Sequence, residues 1–428
     1  MTDLYYIYLK NIYLGDKNVL VKYVQLALNR AGYETPINGE FDSVTCGVLN
    51  EFLQSDTECV VDNDVWEKLL PYLRGYTIHT VESGENLWRI ANMYDTTVAA
   101  ILQSNPTVDI MNVDEGTNIY VPFSFSVVSD EVPYTYVLTR LVMDGLKVRY
   151  PFLATGTIGN SVMGKEVPYM QIGDGDRQLC YNAAFHANEW ITTPVLLKFA
   201  EEYCKAYVNE ELLYEENAQD LYRTYTLYIV PMVNPDGVDL VNGVLHNASY
   251  RNNTHKIAQN YPNIPYPSGW KANIDGIDLN LQFPASWQQA RQVKFAQGFT
   301  SPAPRDFVGD GPLVAPESIN MYEFTLAHDF SLILAYHTQG EVIYWKYRDY
   351  EPENSRRIAQ YFGRVSGYTV EETPYESGAA GYKDWFIEYY NRPGFTIEAG
   401  LGENPLDMTQ FAQIYEDNKY ILVGGMKF

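Results

Sequence analysis

Apolar residues in the first part of the chain recur at the spacing of short helices. In Leu20–Arg30 they return every three or four positions and fall on one helical face. Asn38–Ser43 supplies a turn and an N-cap for a helix over Val44–Leu53, and Asp62–Leu70 has the pattern of a further short helix. We therefore predict a small all-α module over residues 1–73.

The apolar pattern changes over residues 74–123, where strand, helix, helix and strand follow one another. Tyr76–Ala91 contains a strand, a glycine turn and an amphipathic helix, and Thr96–Ile101 begins a second helix. Ile119–Pro122 closes the segment as a strand. This order predicts a βααβ module, in which His79 lies on the first strand and is expected to be solvated.

Beyond a linker at residues 124–133, helical patterns alternate with short apolar runs. The predicted helices are Val137–Tyr150, Thr192–Val208, Glu317–Phe330 and Ser355–Val365, and the predicted strands include Leu179–Phe185, Thr226–Val233, Leu332–Tyr336 and Gly394–Ile397. This alternation indicates one α/β catalytic domain over residues 134–428, with a mixed, mostly parallel sheet and helices on both faces. Sites in such sheets lie at the carboxyl ends of the strands.

Composition and charge disfavour several classes of function. The 428 residues are 46% hydrophobic, yet no apolar run approaches the ~20 residues that span a bilayer. A formal net charge of −24 gives the chain no electrostatic reason to hold nucleic acid or an anionic membrane. The four cysteines form no Cys-x-x-Cys pair, which disfavours a thiolate zinc site, and Cys180 and Cys204 are expected to be reduced core residues.

Candidate metal ligands follow two of the predicted strands. His186 and Glu189 come directly after the apolar run Leu179–Phe185, and His337 comes directly after Leu332–Tyr336. Taken alone, the first pair could be an exposed polar turn, and His337 could be a satisfied core histidine. Two histidines and a glutamate with an open position are, however, the ligand set of a catalytic rather than a structural zinc.

Three further polar residues stand among apolar neighbours. Asp278 and Asn280 alternate with apolar residues in Gly276–Phe283, and Glu398 follows the apolar run Gly394–Ile397. Burying an unpaired carboxylate costs several kcal/mol, so Glu398 requires a partner, and a zinc-activated water would serve as one. Zinc lowers the pKa of such a water to about 7. Glu398 can then take its proton and pass it to the leaving amine.

On these residues the third segment resembles the zinc metallocarboxypeptidase family, the clan of carboxypeptidases A and B. It is most similar to that family's bacterial γ-D-glutamyl-diamino-acid endopeptidase branch. The resemblance implies that His186, Glu189 and His337 bind one Zn²⁺. It also implies that Glu398 is the general base and that Asp278 orients the first zinc histidine from the second shell of the metal.

The same resemblance implies a set of residues that touch the substrate. Asn280 matches the asparagine that contacts the substrate's carboxylate. Tyr375 matches the family's mobile tyrosine, although one extra residue in the spacing leaves Tyr382 as a rival. Lys383 falls where the family places its side-chain-selecting residue. A cation there suits a substrate side chain that ends in a carboxylate, as meso-diaminopimelate does.

Two positions depart from the family pattern. Leu281 stands where true carboxypeptidases carry an arginine that clamps the C-terminal carboxylate, and its loss favours endopeptidase action. Lys271 stands where the family has an arginine that stabilises the tetrahedral oxyanion. Lysine keeps the positive charge but lacks the planar guanidinium. The alternative interpretation is that Lys271 is a surface lysine near the site without a role in the reaction.

Both N-terminal segments resemble modules of bacterial wall proteins. Residues 1–73 resemble peptidoglycan-binding modules through Gln25, the Phe41-Asp42 pair and Trp66. Residues 74–123 resemble a LysM module through Gly84 and the Asn105-Pro106 pair. LysM modules bind N-acetylglucosamine glycans, so the resemblance implies that peptidoglycan is the partner.

The resulting hypothesis is a zinc endopeptidase that cleaves between γ-D-Glu and the diamino acid of peptidoglycan stem peptides. One alternative is a carboxypeptidase in which Lys271, Arg251 or Arg392 replaces the missing clamp. The other is a wall-binding protein with an inactive catalytic domain. Because the first residues lack the pattern of a secretory signal, we expect cytoplasmic synthesis with non-classical release toward the cell wall, or use in a mother cell or spore.

Overall fold

A computed structural model describes residues 8–55, 58–111, 113–374 and 378–428. The chain forms two units. The first comprises the residues up to Val132 together with Val137–Ala154, and the second comprises Pro133–Tyr136 and Thr155–Phe428. The segment Val137–Ala154, predicted as the start of the catalytic domain, thus groups with the N-terminal modules. The predicted domain boundaries themselves stay predictions.

Three helices form the first module, in the places that the apolar spacing predicts. They are α1 (Val19–Arg30), α2 (Ser43–Leu53) and α3 (Asn63–Arg74). Each helix begins after a polar cap, because the side chains of Asn18, Asp42 and Asp62 accept backbone N–H groups of the first turns. A short antiparallel pair of strands, β1 (Ile12–Tyr13) and β2 (Val60–Val61), accompanies them.

A disulfide links Cys46, on α2, to Cys59. The two cysteines are 13 residues apart and belong to no recognisable spacing pattern, so the sequence did not predict this bond. Cross-linking them restricts the unfolded chain, which stabilises the folded module.

The second module has the predicted βααβ order. Its elements are β3 (Tyr76–Thr80), α4 (Leu87–Met93), α5 (Val98–Ser104) and β4 (Asn118–Pro122). The two strands pair antiparallel, and apolar residues of both helices pack against them. The expectation that His79 is solvated was wrong: the residue is buried, with Nε2 at 2.7 Å from Glu85 Oε2 and Nδ1 at 3.1 Å from the hydroxyl of Tyr94. These two partners make burial of the imidazole tolerable.

An eight-stranded sheet forms the centre of the second unit. The strands that follow β4 are β5 (Ala154–Asn160), β6 (Glu166–Ile172), β7 (Arg177–Ala183), β8 (Leu212–Leu213), β9 (Glu216–Asn217), β10 (Tyr225–Val230), β11 (Phe330–His337), β12 (Val342–Tyr344), β13 (Thr369–Glu371) and β14 (Gly394–Glu398). Strands β8 and β9 form a separate pair, and the sheet order is β13-β12-β14-β11-β7-β10-β6-β5. The central strands β14, β11, β7 and β10 run parallel, whereas β6 and β12 pair antiparallel with β10 and β14. The mixed, mostly parallel sheet is confirmed.

The helices after α5 are α6 (Tyr136–Arg149), α7 (Thr192–Val208), α8 (Ala218–Thr224), α9 (Pro235–Val241), α10 (Ala248–Gln259), α11 (Trp287–Ala296), α12 (Pro316–Leu326), α13 (Ser355–Ser366), α14 (Tyr382–Tyr390) and α15 (Phe411–Gly424). Helices α7 and α14 pack against the central strands. Helix α12 ends at Leu326 and not at Phe330 as predicted, because Phe330 is the buried first residue of β11. Cys180 and Cys204 are buried free thiols, as expected. Within the described ranges, none of the helices has both the length and the apolar character to cross a membrane.

The register of the central strands brings the candidate residues to one edge. Tyr336 of β11 is paired with Ala183 of β7, and His337 of β11 is paired with Glu398 of β14. Since the three strands are parallel, their carboxyl ends meet at the same edge of the sheet. Their middles are buried and apolar on both faces, which is typical of strands covered on two sides.

Gly237 of α9 packs so closely against the chain after β7 that no larger residue is expected to fit there. A Cβ at Gly237 would lie 2.7 Å from Ala187 Cβ and 2.8 Å from the carbonyl oxygen of Ala272. We expect Gly237→Ala to lower the free energy of unfolding by about 1–3 kcal/mol, because a methyl group overfills this contact. Gly311→Ala is the control, since its Cβ meets only Val314 at 3.6 Å. Chemical denaturation checks both variants, and equal stability of the two would contradict the prediction.

Candidate metal centre and cleft

A tight turn after β7 directs His186 and Glu189 to the same side. The strand ends at Ala183, Ala184 takes a positive φ of 51°, and His186 then precedes one turn of 3₁₀ helix at Ala187–Glu189. The hydroxyl of Thr192 donates to the carbonyl of Glu189 and accepts from the N–H of Ala184. Both ends of the turn are therefore tied to the start of α7.

The three predicted ligands converge. Glu189 Oε1 lies 3.0 Å from His186 Nδ1, and Glu189 Oε2 lies 2.9 Å from His337 Nδ1. The two Nδ1 atoms are 3.2 Å apart. All three residues are buried, and one donor atom from each lies within 4.8 Å of the others.

The surroundings of His186 fit a metal ligand. Its Nε2 is 3.2 Å from Asp278 Oδ1, which leaves the lone pair on Nδ1, the atom that faces Glu189 and His337. Asp278 is itself fixed, because its two oxygens accept the backbone N–H groups of Asn280 and Asp306. A carboxylate behind a ligating histidine sets its tautomer and orientation. Two imidazole nitrogens and a carboxylate are also the donors that zinc prefers, so these residues fit the ion.

The cluster carries strongly perturbed charges. Burial disfavours a charged imidazole at His186, but the Glu189 and Asp278 carboxylates together outweigh burial and raise the pKa of His186 to about 9. Burial also disfavours charge on Glu189, yet His186 and Lys271 hold its pKa well below the usual range. A cation that binds these atoms therefore displaces a proton from the histidine.

Glu398 and Lys271 flank the cluster on its open side. Lys271 Nζ is 2.9 Å from Glu189 Oε1. Glu398, on β14, is the register partner of His337 on the neighbouring strand β11. Burial and the neighbouring Glu189 carboxylate raise the pKa of Glu398, and the charge of His337 opposes this only in part. Both side chains line a cleft of about 520 Å³, together with residues that include Asn188, Thr338 and Asn404.

The residues predicted to contact the substrate lie in different surroundings. Asn280 Oδ1 accepts the N–H of Tyr382 at the start of α14. Tyr382, the rival of Tyr375, is fully buried, with its hydroxyl 2.9 Å from that of Thr325, and which of the two tyrosines is the mobile one stays a prediction. Tyr375 lies outside the described residues. The ammonium of Lys383 is buried, 2.5 Å from Asp384 Oδ1, and donates to Thr373 and to the carbonyl of Lys346, so its part in selecting the substrate stays a prediction.

Of the three cations that could replace the clamp missing at Leu281, Arg392 is engaged elsewhere, and Lys271 and Arg251 stay untested candidates. Leu281 is buried in an apolar cluster with Trp287. Arg392 pairs with Asp329 and the carbonyl of Phe330, at the opposite end of β11 from His337, and Arg251 is exposed on α10 and does not line the cleft.

The cleft contains a second cation that the sequence did not reveal. Arg305 lines it beside Lys271, and its Nε is 2.6 Å from Asp306 Oδ2. The residue lies in an irregular segment between α11 and α12, where no periodic pattern marks any position. Only the tertiary fold brings it to the carboxyl ends of the strands.

Comparison with known sequences agrees with this geometry. The profile of the zinc carboxypeptidase family matches residues 140–421, which is more than half of the chain. The chain belongs to the zinc carboxypeptidase family. It is a zinc metallopeptidase, with a donor set at His186, Glu189 and His337 that fits its cofactor. The LysM domain profile matches residues 79–122, which confirms the second module.

Individual relatives extend the comparison. Gamma-D-glutamyl-L-diamino acid endopeptidase 1 of Lysinibacillus sphaericus is 42% identical over 304 residues, which cover 71% of this chain and 74% of that protein. The uncharacterized protein YqgT of Bacillus subtilis (strain 168) is 40% identical and matches 65% of this chain and 73% of its own. The structure of thrombin activatable fibrinolysis inhibitor shares the fold, with a TM-score of 0.56, 14% identity, and coverage of 82% of this chain and 98% of the other.

The contact between Asp278 and His186 predicts a loss of metal affinity. We expect Asp278→Ala to weaken zinc binding by about 10- to 100-fold, because the imidazole loses the carboxylate that orients it. Asp275→Ala removes an exposed carboxylate from the same segment and is the matched control. Competition with a chromophoric chelator measures both affinities, and an unchanged affinity in Asp278→Ala would exclude the orienting role.

Proposed function

We propose that this protein is an endopeptidase that cleaves peptidoglycan stem peptides between γ-D-Glu and the diamino acid. The observation that carries the proposal is the buried apolar setting of Leu281, next to Asn280, where an exopeptidase needs a cation for the terminal carboxylate. A substrate that continues past the scissile bond needs no such clamp. The relative from Lysinibacillus sphaericus is named for the gamma-D-glutamyl-L-diamino acid bond, which supports the same scissile bond here.

The residues of the cleft have distinct tasks in this reaction. Bound zinc supplies Lewis-acid activation of water and of the scissile carbonyl. Glu398 accepts the proton of the attacking water, and its raised pKa suits it to return that proton to the leaving amine. Lys271, in contact with Glu189, supplies the positive charge that stabilises the tetrahedral oxyanion. His186, Glu189 and His337 would hold the metal in place.

The N-terminal modules support a wall substrate and a wall location. A LysM domain that binds glycan strands would hold the catalytic domain near stem peptides and raise their effective concentration. The helical module would add a second attachment to peptidoglycan. The disulfide between Cys46 and Cys59 supports action outside the reducing cytoplasm, since such bonds persist in oxidising compartments.

Defined stem peptides test the scissile bond. Incubation of zinc-loaded protein with L-Ala-γ-D-Glu-meso-diaminopimelyl-D-Ala should release the intact dipeptide diaminopimelyl-D-Ala, identified by mass spectrometry. A carboxypeptidase would instead release free D-Ala from this tetrapeptide, and free diaminopimelate only from the tripeptide. Absence of any cleavage, with zinc bound, would favour a wall-binding protein with an inactive catalytic domain.

The position of Glu398 predicts a variant that binds metal but does not turn over. Glu398→Gln should lower kcat by about 10²- to 10⁴-fold, because the amide cannot accept a proton from water. Zinc content, measured by atomic absorption, should stay the same, since Glu398 is not among the three converging ligands. Glu403→Gln, which removes another carboxylate from the cleft lining, is the control. A Glu398→Gln enzyme with kcat within a few fold of the wild type would exclude its role as the base.

A further inference from the structure

Arg305 is a cleft cation to which neither the reaction nor the metal site assigns a task. Its side chain is 44% exposed and lines the same cleft as Lys271 and Glu398. The guanidinium uses Nε to bind Asp306, and in the described part of the chain no hydrogen bond is formed by its two Nη groups. The planar end of the fork is therefore available to a molecule in the cleft.

The backbone around Arg305 is tied to the centre itself. The carbonyl of Pro304 accepts the N–H groups of Lys271, at 2.7 Å, and Ala272, at 2.9 Å. On the other side of Arg305, the N–H of Asp306 donates to Asp278, the carboxylate that holds His186. Arg305 is thus positioned by the same contacts that position the oxyanion cation and the first histidine.

Asp306 does not neutralise Arg305 by itself. Lys294 also binds this carboxylate, with 2.5 Å between Lys294 Nζ and Asp306 Oδ1, so two cations share one negative charge. Burial opposes the charge of the guanidinium, but Asp306, with smaller contributions from Asp278 and Glu189, raises the pKa of Arg305. Taken by themselves, Arg305, Lys294 and Asp306 therefore carry one positive charge in excess.

The chemistry of a γ-linked substrate supplies a matching anion. In a γ-glutamyl bond the side-chain carbonyl is attacked, and the α-carboxylate of the same residue stays free on the acyl side of the scissile bond. An ordinary α-linked residue has no carboxylate at that place. Asn280 and Lys383 were assigned to the substrate's carboxylate and to the diaminopimelate side chain, both of which belong to the residue that leaves. Neither residue lines the cleft that contains Arg305, which suits this cleft to the acyl side.

We propose that Arg305 binds the free α-carboxylate of the γ-linked glutamyl residue and thereby selects γ-linked wall peptides over α-linked ones. This proposal rests on the proposed endopeptidase function and names the group on the substrate that its cleft recognises. Arg305 is a specificity residue and takes no part in proton transfer. Its planar fork can meet both carboxylate oxygens, which a lysine cannot do.

Two peptides and three variants test the role of Arg305. The peptides are L-Ala-γ-D-Glu-meso-diaminopimelate and the same peptide with the α-carboxyl of its D-Glu amidated. We expect the wild type to prefer the free acid and Arg305→Gln to lower kcat/KM for that peptide by about 10- to 100-fold, mainly through KM, because a hydrogen-bonded charge pair is lost. Its kcat/KM for the amidated peptide should not change. Arg305→Lys should retain part of the preference.

Arg356→Gln is the matched control, because Arg356 forms a similar exposed pair with Glu351 outside the cleft. Zinc content verifies that each variant keeps its metal site, and Arg305→Lys carries the test if Arg305→Gln does not fold. The proposal for Arg305 alone would be overturned if Arg305→Gln lowered kcat/KM equally for both peptides or for neither. It would also be overturned if the wild type showed no preference between the two peptides. If the wild type hydrolyses neither peptide, the endopeptidase function fails and the role of Arg305 fails with it.

Discussion

The parallel hydrogen bonding of β7, β11 and β14 is the constraint on which the rest of the site depends. It pairs His337 with Glu398 and ends β7 one short turn before His186. A shift of one residue in either register would turn a reactive side chain from one face of the sheet to the other. The buried apolar middles of these strands specify the register, so core packing and chemistry are set by the same residues.

Glu189 is the electrostatic centre of this arrangement. Its single carboxylate contacts His186, His337 and Lys271 while almost entirely removed from water. A buried charge of this kind is tolerated only when its partners are held in position. Here they are held by a strand end, by the turn before α7 and by the segment whose backbone meets Pro304. The geometry of the metal site thus depends on three separate parts of the chain.

The sequence was sufficient where apolar periodicity marks an element and a polar residue ends it. His186, Glu189, His337 and Glu398 were found because each follows an apolar run that forms a strand. Strands β5 and β6 were missed: β5 is the edge strand and has no continuous apolar run, and β6, which lies between β10 and β5, mixes polar and apolar residues. Partners that are distant in sequence, such as those of Arg305, arise only from tertiary folding and leave no local pattern.

The carbonyl of Pro304 binds the N–H groups of two successive residues, Lys271 and Ala272. An insertion or deletion near Pro304 would therefore displace Lys271, and Asp278 through its contact with Asp306. Relatives with altered preferences on the acyl side are thus expected to differ by the side chain at the position of Arg305 and to keep the length of the loop. Divergence within this lineage can then proceed by single substitutions, without rebuilding the metal centre.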